Sequence, residues 1–268
     1  MPYVFLNGKF LDASQAHISI FDRSYLYGAG VFETLRAYGG KPAFADRHYE
    51  RLARNADALR LSIPFNQKEW SQILAELLAR NNLTDTTLRT TVSDNTSIFC
   101  RPIDITPQLY ISGAKVLLLD NPRNNDVVAA GIKSTSYVIK MLARQKATEA
   151  GAFDAVLKNQ QNDWVEGSKT NFFIVRQGTV LTAPLTAGLL PGVTRDVVLE
   201  ILREGSFSWK EALLTDADLK TADEIFLTGS STEVMPVSCL TGCLERTLPV
   251  GPITQRLLQL YRKKITLQ

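Results

Sequence analysis

Three segments combine residue types that are costly to explain by packing alone. In Gly131-Ile132-Lys133-Ser134 the lysine follows a β-rich run and precedes a helical one. Small and β-branched neighbours can strip water from an ammonium there, and a desolvated lysine becomes a nucleophile toward aldehydes. The plain alternative is a solvated lysine at a strand end. In Trp164-Val165-Glu166-Gly167-Ser168-Lys169-Thr170-Asn171-Phe172-Phe173 an acid and a small polar turn stand between two apolar stretches, which alone is ordinary hairpin chemistry. In Leu190-Pro191-Gly192-Val193-Thr194-Arg195 glycine permits close backbone approach and threonine offers a hydroxyl, while Asp196 onward reads as a helix. A helix N-terminus prepared in this way can receive a phosphate. The alternative is a simple cap with Thr194 at the N-cap position. Thr228-Gly229-Ser230-Ser231-Thr232 is a further hydroxyl-rich turn that could close around the same anion.

The elements that must position these residues follow from hydrophobic spacing. Val4-Phe5-Leu6, the turn Asn7-Gly8 and Phe10 read as a hairpin, and Val31 to Tyr38 turns at Gly39-Gly40 into Pro42-Ala43-Phe44 as a second one. Tyr49, Leu52, Ala56 and Leu59 mark one helix, and Trp70, Ile73, Leu74, Leu77 and Leu78 another. Leu88 to Ser93 and Gln108 to Ser112 read as strands of the same sheet. The polar stretch from Leu119 to Asp126 is the linker candidate. Beyond it the spacing predicts a strand over 127–133, a helix over about 138–150, strands around Ala155-Leu157 and Phe172-Val175, and a helix over 195–203. Strands at 224–228 and 233–237 and an amphipathic helix at 253–261 complete the chain. Strands and helices mix in both halves, so the expected architecture is α+β or α/β in two domains, 1–118 and 127–268, with a linker at 119–126 and a site between the domains.

Composition narrows the function classes. The 268 residues are 45% hydrophobic, enough for a large core. Lys and Arg total 30 against 27 Asp and Glu, and no basic block stands out, so neither nucleic acid nor another polyanion is an expected partner. Cys100, Cys239 and Cys243 form no CxxC pair and have no histidine nearby, so no metal site is expected; reduced thiols in a cytoplasmic protein are the simpler reading. The start of the chain lacks a basic region followed by an apolar run, and no apolar stretch approaches a membrane span.

Together the three segments resemble the class IV aminotransferases, the pyridoxal-phosphate fold type that includes branched-chain and D-amino-acid aminotransferases and aminodeoxychorismate lyase. The pattern runs from Glu166-Gly167 through Asn171 to apolar Phe172 and aromatic Phe173, then Val180-Leu181-Thr182, then Leu190-Pro191-Gly192-Val193-Thr194-Arg195. Weaker similarity covers nearly the whole chain, through Phe21-Asp22-Arg23, Tyr27-Gly28-Ala29-Gly30-Val31-Phe32-Glu33, His48-Tyr49-Glu50-Arg51-Leu52 and Ser231-Thr232-Glu233-Val234-Met235-Pro236-Val237. The resemblance implies a two-domain fold like that of D-amino-acid aminotransferase, with pyridoxal 5'-phosphate as cofactor. It implies that Lys133, counted back from Ala143-Arg144-Gln145-Lys146-Ala147, is the amine that holds the cofactor as a Schiff base, with Lys140 the competitor. Glu166 would pair with the pyridine nitrogen and keep it protonated, so that the ring accepts electrons. Arg51, Gly192, Val193 and Thr194 would hold the phosphate, with Ser230 and Ser231 adding donors. Tyr137 would hydrogen-bond the ring hydroxyl, as in part of the family, and a homodimer is implied because relatives complete the site from a neighbouring subunit.

Tyr27, Phe32 and Arg36 fall on positions that line the substrate side in relatives. Two departures bear on the substrate. Asp94-Asn95 stands where D-amino-acid enzymes carry an Arg-Gly whose arginine grips the substrate carboxylate, and Ser134-Thr135-Ser136-Tyr137 replaces the Gly-Gly-Asn-Tyr that follows the lysine in branched-chain enzymes. The expectation is an aminotransferase acting on an amino acid and a 2-oxo acid, with free Lys133 as the proton shuttle. The alternatives are a lyase that releases pyruvate and 4-aminobenzoate from aminodeoxychorismate and, from another class, a non-catalytic protein that binds a phosphate ligand, which would not need Lys133.

Overall fold

The computed structural model describes residues 2–120 and 130–268. They form two compact units. The first holds the described residues of Met1–Asp104 with Ile132–Tyr137 and Gln268; the second holds those of Ile105–Gly131 with Val138–Leu267.

In the first unit β1 (Tyr3–Leu6) and β2 (Lys9–Asp12) form the expected hairpin. Its turn residues Asn7 and Gly8 both have positive φ, 47° and 87°, the conformation for which Asn-Gly is selected. The short helix α1 (Arg23–Tyr27) follows, then β3 (Val31–Tyr38) and β4 (Lys41–Pro42), joined by Gly39 and Gly40, again with positive φ. Helices α2 (Ala45–Ala58) and α3 (Gln67–Arg80) come next, then β5 (Thr86–Val92) and β6 (Thr96–Arg101). The six-stranded sheet has the order β2-β1-β6-β5-β3-β4. Side chains alternate along β3. Val31, Leu35 and Ala37 enter a core with Leu52 and Ala56 of α2 and Trp70, Leu74 and Leu77 of α3. Phe32, Thr34 and Arg36 take the other face.

Glu33 points into the helix side of that sheet and is fully buried. An unpaired carboxylate there would be prohibitive. Arg51 Nε and Nη2 donate to its two oxygens at 2.7 Å each, and His48 Nδ1 lies 2.7 Å from Oε2. His48 and Arg51 are three apart and so share one helical face. This pairing fixes the register of α2 against β3.

The second unit begins with α4 (Leu109–Ser112), β7 (Ala114–Leu119) and α5 (Val138–Glu149), followed by β8 (Asp154–Lys158), β9 (Trp164–Gly167), β10 (Asn171–Arg176) and β11 (Thr179–Thr182). Then come α6 (Val193–Glu204), β12 (Ser208–Glu211), α7 (Asp216–Thr221), β13 (Glu224–Gly229), β14 (Glu233–Gly242), β15 (Arg246–Thr247) and α8 (Pro252–Thr266). The nine-stranded sheet runs β12-β11-β10-β13-β14-β7-β8-β9, with β15 beside β14. One further pair, Glu166 opposite Asn171, joins β9 back to β10 and closes the path into a ring. Ala143 and Ala147 of α5 pack on Ala155 and Leu157 of β8, small residues that let the helix lie close to the strand.

Several sequence expectations are corrected. Gln108–Ser112 is a helical turn, with Ser112 N bonded to Gln108 O at 2.9 Å, and Gly113 ends it at φ 77°. The expected strand over 127–133 lies partly outside the described residues; Ala130 and Gly131 are helical, and Lys133 joins no named strand. The expected linker 119–126 lies outside the described residues from 121 on, while Leu119 is the last residue of β7. Strand β7 belongs to the second unit and Ile132–Tyr137 to the first, so the compact units divide elsewhere than at 118 and 127.

Burial holds the pKa of His48 below its ordinary 6.5, outweighing the opposing pull of Glu33. The Glu33 carboxyl lies well below its ordinary 4.5: burial would raise it, and Arg51 and then His48 pull it down. Below pH 6.5 the unfolded chain takes up a proton on His48 that the folded chain resists, and below 4.5 the same holds for Glu33. Both groups therefore remove stability as pH falls. The melting temperature should drop between about pH 7 and pH 5, and His48→Gln should flatten that drop. Parallel melting curves for the two proteins would exclude His48 as the source.

Candidate functional site

The sequence-predicted residues divide between the units. Tyr27, Phe32, Arg36, Arg51, Lys133 and Tyr137 lie in the first, and Glu166, Gly192, Val193, Thr194, Ser230 and Ser231 in the second.

In the first unit the segment carrying Lys133 runs antiparallel to the start of β3. Phe32 N donates to Lys133 O at 2.9 Å, Thr135 N to Gly30 O at 2.8 Å, and Val31 bridges to Ser134. The lysine thus stands on paired backbone, with its Nζ 4.5 Å from the centre of the Phe32 ring. The Tyr137 ring meets Phe32 edge-on at 5.6 Å. Arg89 of β5, which the sequence reading did not single out, lies over the same Phe32 ring at 3.7 Å. Among the described residues it has no carboxylate partner; its hydrogen bond goes to Thr91 Oγ1 at 3.4 Å. Burial, then the charge of Arg101, lowers its pKa to about 10. Pairing of Arg89 with Thr34 and with Phe99 puts it on the Phe32 face of the sheet, and pairing of Thr87 with Arg36 and Arg101 puts both of these arginines there too. Such a face can receive carboxylates. The alternation of β5 was the available signal, since every second residue from Thr87 shares the face of Phe32. Arg51 is buried on the opposite side of β3, against Glu33. Tyr27 is 75% exposed.

In the second unit Glu166 is buried at the closure of the sheet ring. Its Oε2 accepts from Leu190 N at 3.1 Å, and its Oε1 lies 3.1 Å from Lys140 Nζ of α5. The turn from Glu166 to Asn171 is organised by Asp154, another residue the sequence reading passed over. This buried carboxylate accepts from the Ser168 amide and hydroxyl and from the Thr170 hydroxyl. Gly167 is required there, because a Cβ would fall 2.4 Å from Asp154 Oδ2. Asn171 Nδ2 donates to Leu190 O at 2.9 Å, and a Cβ on Gly192 would lie 2.0 Å from Asn171 Oδ1. The N-cap of α6 is Gly192, not Thr194, because only a residue without a side chain fits against Asn171; Thr194 is the second helical residue. No side chain caps this helix. Opposite Asn171 in the ladder stands Thr228, whose hydroxyl is buried without a hydrogen-bond partner, and the tight turn Ser230-Ser231-Thr232 follows it.

These features test whether a phosphate-bearing cofactor suits the residues. An uncapped helix N-terminus offers amides and a favourable dipole to an anion. The lone Thr228 hydroxyl, and a glycine position a Cβ would fill, belong to the same group of side chains around Asn171. A buried carboxylate that already engages a cation at Oε1 is of the kind that suits a protonated ring nitrogen. The residues fit pyridoxal phosphate. Among the described residues no group of three or more His, Cys, Asp or Glu could hold a metal.

The fold is that of the fold type IV pyridoxal-phosphate enzymes. The branched-chain aminotransferase of the archaeon Thermoproteus uzoniensis, solved with norvaline, superposes with a TM-score of 0.89 at 29% identity, over 98% of this chain and 94% of that one. Residues 30–240 match the family described as amino-transferase class IV, and the chain belongs to that family. It is a pyridoxal-phosphate-dependent aminotransferase. A putative branched-chain-amino-acid aminotransferase of Methanocaldococcus jannaschii is 35% identical over 97% of this chain and 95% of its own length. A D-alanine aminotransferase of Bacillus licheniformis is 28% identical over 94% and 93%.

Two substitutions separate structure from chemistry. Arg51→Ala would leave Glu33 buried without the guanidinium that compensates its charge, with His48 beside it, and should cost about 3–5 kcal/mol in urea unfolding even without cofactor. A loss below 1 kcal/mol would mean that the pair is not the anchor of α2. Glu166→Gln should lower turnover by on the order of 10²-fold while cofactor affinity changes less. Near-normal turnover on every substrate would remove Glu166 from the chemistry.

Proposed function

We propose that this aminotransferase exchanges the amino group of an apolar L-amino acid with a 2-oxo acid, that Lys133 is the amine that carries the cofactor, and that Arg89 receives a substrate carboxylate. The observation that carries the reading is the Phe32 ring, which has Lys133 Nζ and the Arg89 guanidinium both against it. One is an amine on fixed backbone and the other a half-buried cation without a carboxylate. Lys140 is the weaker candidate for the amine, since an ammonium engaged by buried Glu166 has no lone pair to offer a carbonyl. Pyridoxal phosphate, when bound, supplies the aldehyde and the electron-accepting ring. Lys133, once displaced by the substrate's amine, would be the base that takes the proton from the substrate's α carbon. Glu166 holds the ring nitrogen in its protonated form. The α6 N-terminus at Gly192, Val193 and Thr194, with Ser230 and Ser231, holds the phosphate. Arg51, held against Glu33, would add its positive charge to the phosphate site, and Tyr137 would give the ring hydroxyl a partner.

The substrate follows from the similarity to branched-chain enzymes together with the arginine-bearing sheet face. The grip that D-amino-acid enzymes take from an Arg-Gly is absent at Asp94-Asn95, and Arg89 supplies a guanidinium three strand positions before Val92, the last residue of β5. A homodimer belongs to the same reading. Ile18, Ile20, Phe21, Tyr25, Leu26 and Tyr27 expose large apolar side chains within ten residues, more than a monomer ordinarily leaves bare, and a second copy of this chain would cover them. The described residues contain no helix long and apolar enough to cross a membrane. Three free cysteines suit a reducing cytoplasm.

Single L- and D-amino acids added to the holoenzyme test the reading. L-valine or L-leucine should convert the chromophore to the pyridoxamine form and release the 2-oxo acid, and Arg89→Ala should raise KM about tenfold to a hundredfold, the worth of a hydrogen bond to a charged group. Conversion by D-alanine alone would overturn the choice of the L series. Aminodeoxychorismate yielding pyruvate, with no amino acid converted, would replace transamination by the lyase reaction. Borohydride trapping should label the Lys133 peptide; a labelled Lys140 would move the amine.

A further inference from the structure

We propose that the Thr135 hydroxyl is a positioning group for the Lys133 amine, fastening the lysine segment to the glycine pair ahead of β3; this rests on the assignment of Lys133 above. Thr135 Oγ1 donates to Gly28 O at 2.7 Å and accepts from Gly30 N at 2.9 Å. Its own amide donates to Gly30 O at 2.8 Å. One residue therefore makes three bonds to the Gly28–Gly30 turn, two residues beyond Lys133. The turn is shaped to receive it. Gly28 has φ 67°, and a Cβ there would come within 3.0 Å of Ser136 Cα; a Cβ on Gly30 would lie 2.9 Å from Ser24 Cβ and 3.1 Å from Thr135 Oγ1. Any side chain at either glycine would lift the lysine segment off β3.

The turn is itself held from its other end. Asp22, the N-cap of α1, accepts from Ser24 N at 2.7 Å, from Ser93 Oγ at 2.7 Å and from Asn95 N at 3.1 Å. Arg23 reaches Asp94 at 2.7 Å. The loop between β5 and β6 thus fixes α1, α1 ends in Gly28, and Gly28 receives Thr135. Lysine has four rotatable bonds, so the amine is placed only as well as its Cα is. Without the hydroxyl the two backbone bonds, Phe32 N to Lys133 O and Thr135 N to Gly30 O, would remain, but Gly28 O and Gly30 N would lose their side-chain partner and the segment would be held less tightly against the turn.

The test compares Thr135→Val, which keeps the shape and loses both side-chain bonds, with Thr135→Ser, which keeps the hydroxyl; Thr135→Ala replaces the valine variant where that fails to fold. Three measurements are made on the holoenzyme: the pH midpoint of the cofactor absorbance, the rate at which cofactor is lost on dilution, and the peptide labelled by borohydride. In the valine or alanine variant the midpoint should move by about half a unit or more, and cofactor loss should accelerate about fivefold to thirtyfold. The serine variant should match the parent in both. An unmoved midpoint and loss rate in the valine or alanine variant, or equal changes in the serine variant, would overturn the positioning role. Labelling distinguishes the two levels. A labelled peptide without Lys133 sinks the assignment of the amine, whereas labelled Lys133 with unmoved midpoints sinks only the role of Thr135.

Discussion

A carboxylate removed from water must be met by donors, and each unit buries one at a point on which its architecture turns. Glu33 in the first unit and Glu166 in the second are both almost completely inaccessible. The penalty for leaving either unpaired exceeds what any single apolar contact returns. Satisfying Glu33 requires Arg51 and His48 on one face of α2, which sets how that helix lies on the sheet. Satisfying Glu166 requires the Leu190 amide, which brings the start of the α6 region to the end of β9. Such pairs add little net stability over a well-packed apolar replacement. What they fix is position, and positions are what a cofactor enzyme needs.

The same economy appears in the turns. Asp154 gathers the donors of Ser168 and Thr170, so that Glu166 and Asn171, five residues apart in sequence, face each other across the last pair of the ring. Asn171 then reaches Leu190 with its amide, and Gly192 lies against its carbonyl. Each step uses a polar group to place the next one, and each glycine stands where a Cβ would push the chain apart. The group around Glu166 and Asn171 is thereby positioned by its own hydrogen bonds before any ligand arrives, which lowers the entropy that binding must overcome.

Much of this was legible in the sequence. Both hairpins declared themselves through Asn7-Gly8 and Gly39-Gly40, because positive φ selects those residues. Helices α2 and α3 declared themselves through apolar spacing. Strand β6 was not read, because the apolar run of Thr96–Arg101 is only Ile98-Phe99-Cys100, too short to declare a period. Gln108–Ser112 was misread as a strand, since five residues carry too little periodicity to separate the two states. The site motifs were legible by type, yet the position of Gly192 at the N-cap depends on contact with Asn171, 21 residues earlier, which no local rule contains. Arg89 and Asp154 were missed for the same reason. Their meaning lies in which neighbours the sheet brings beside them.

The two departures from the family's aminotransferase patterns, at Asp94-Asn95 and at Ser134-Thr135-Ser136, look in sequence like two independent losses of substrate grip. In the first unit they are the two ends of one fastening. Asp94 and Asn95 hold Arg23 and Asp22 at the start of α1, and Thr135 holds Gly28 and Gly30 just after its end. An arginine in place of Asp94 would face Arg23, replacing an ion pair with a repulsion; a glycine in place of Thr135 would leave the Gly30 amide without its acceptor. The residues suit each other across α1, so changing one end alone would strain the other. A segment tied at both ends can also carry the exposed side chains of Tyr25, Leu26 and Tyr27 without collapsing onto its own unit. The departures therefore describe a different way of holding the lysine segment and the apolar row in place, while the Phe32 face of the sheet keeps its own guanidinium in Arg89 of β5.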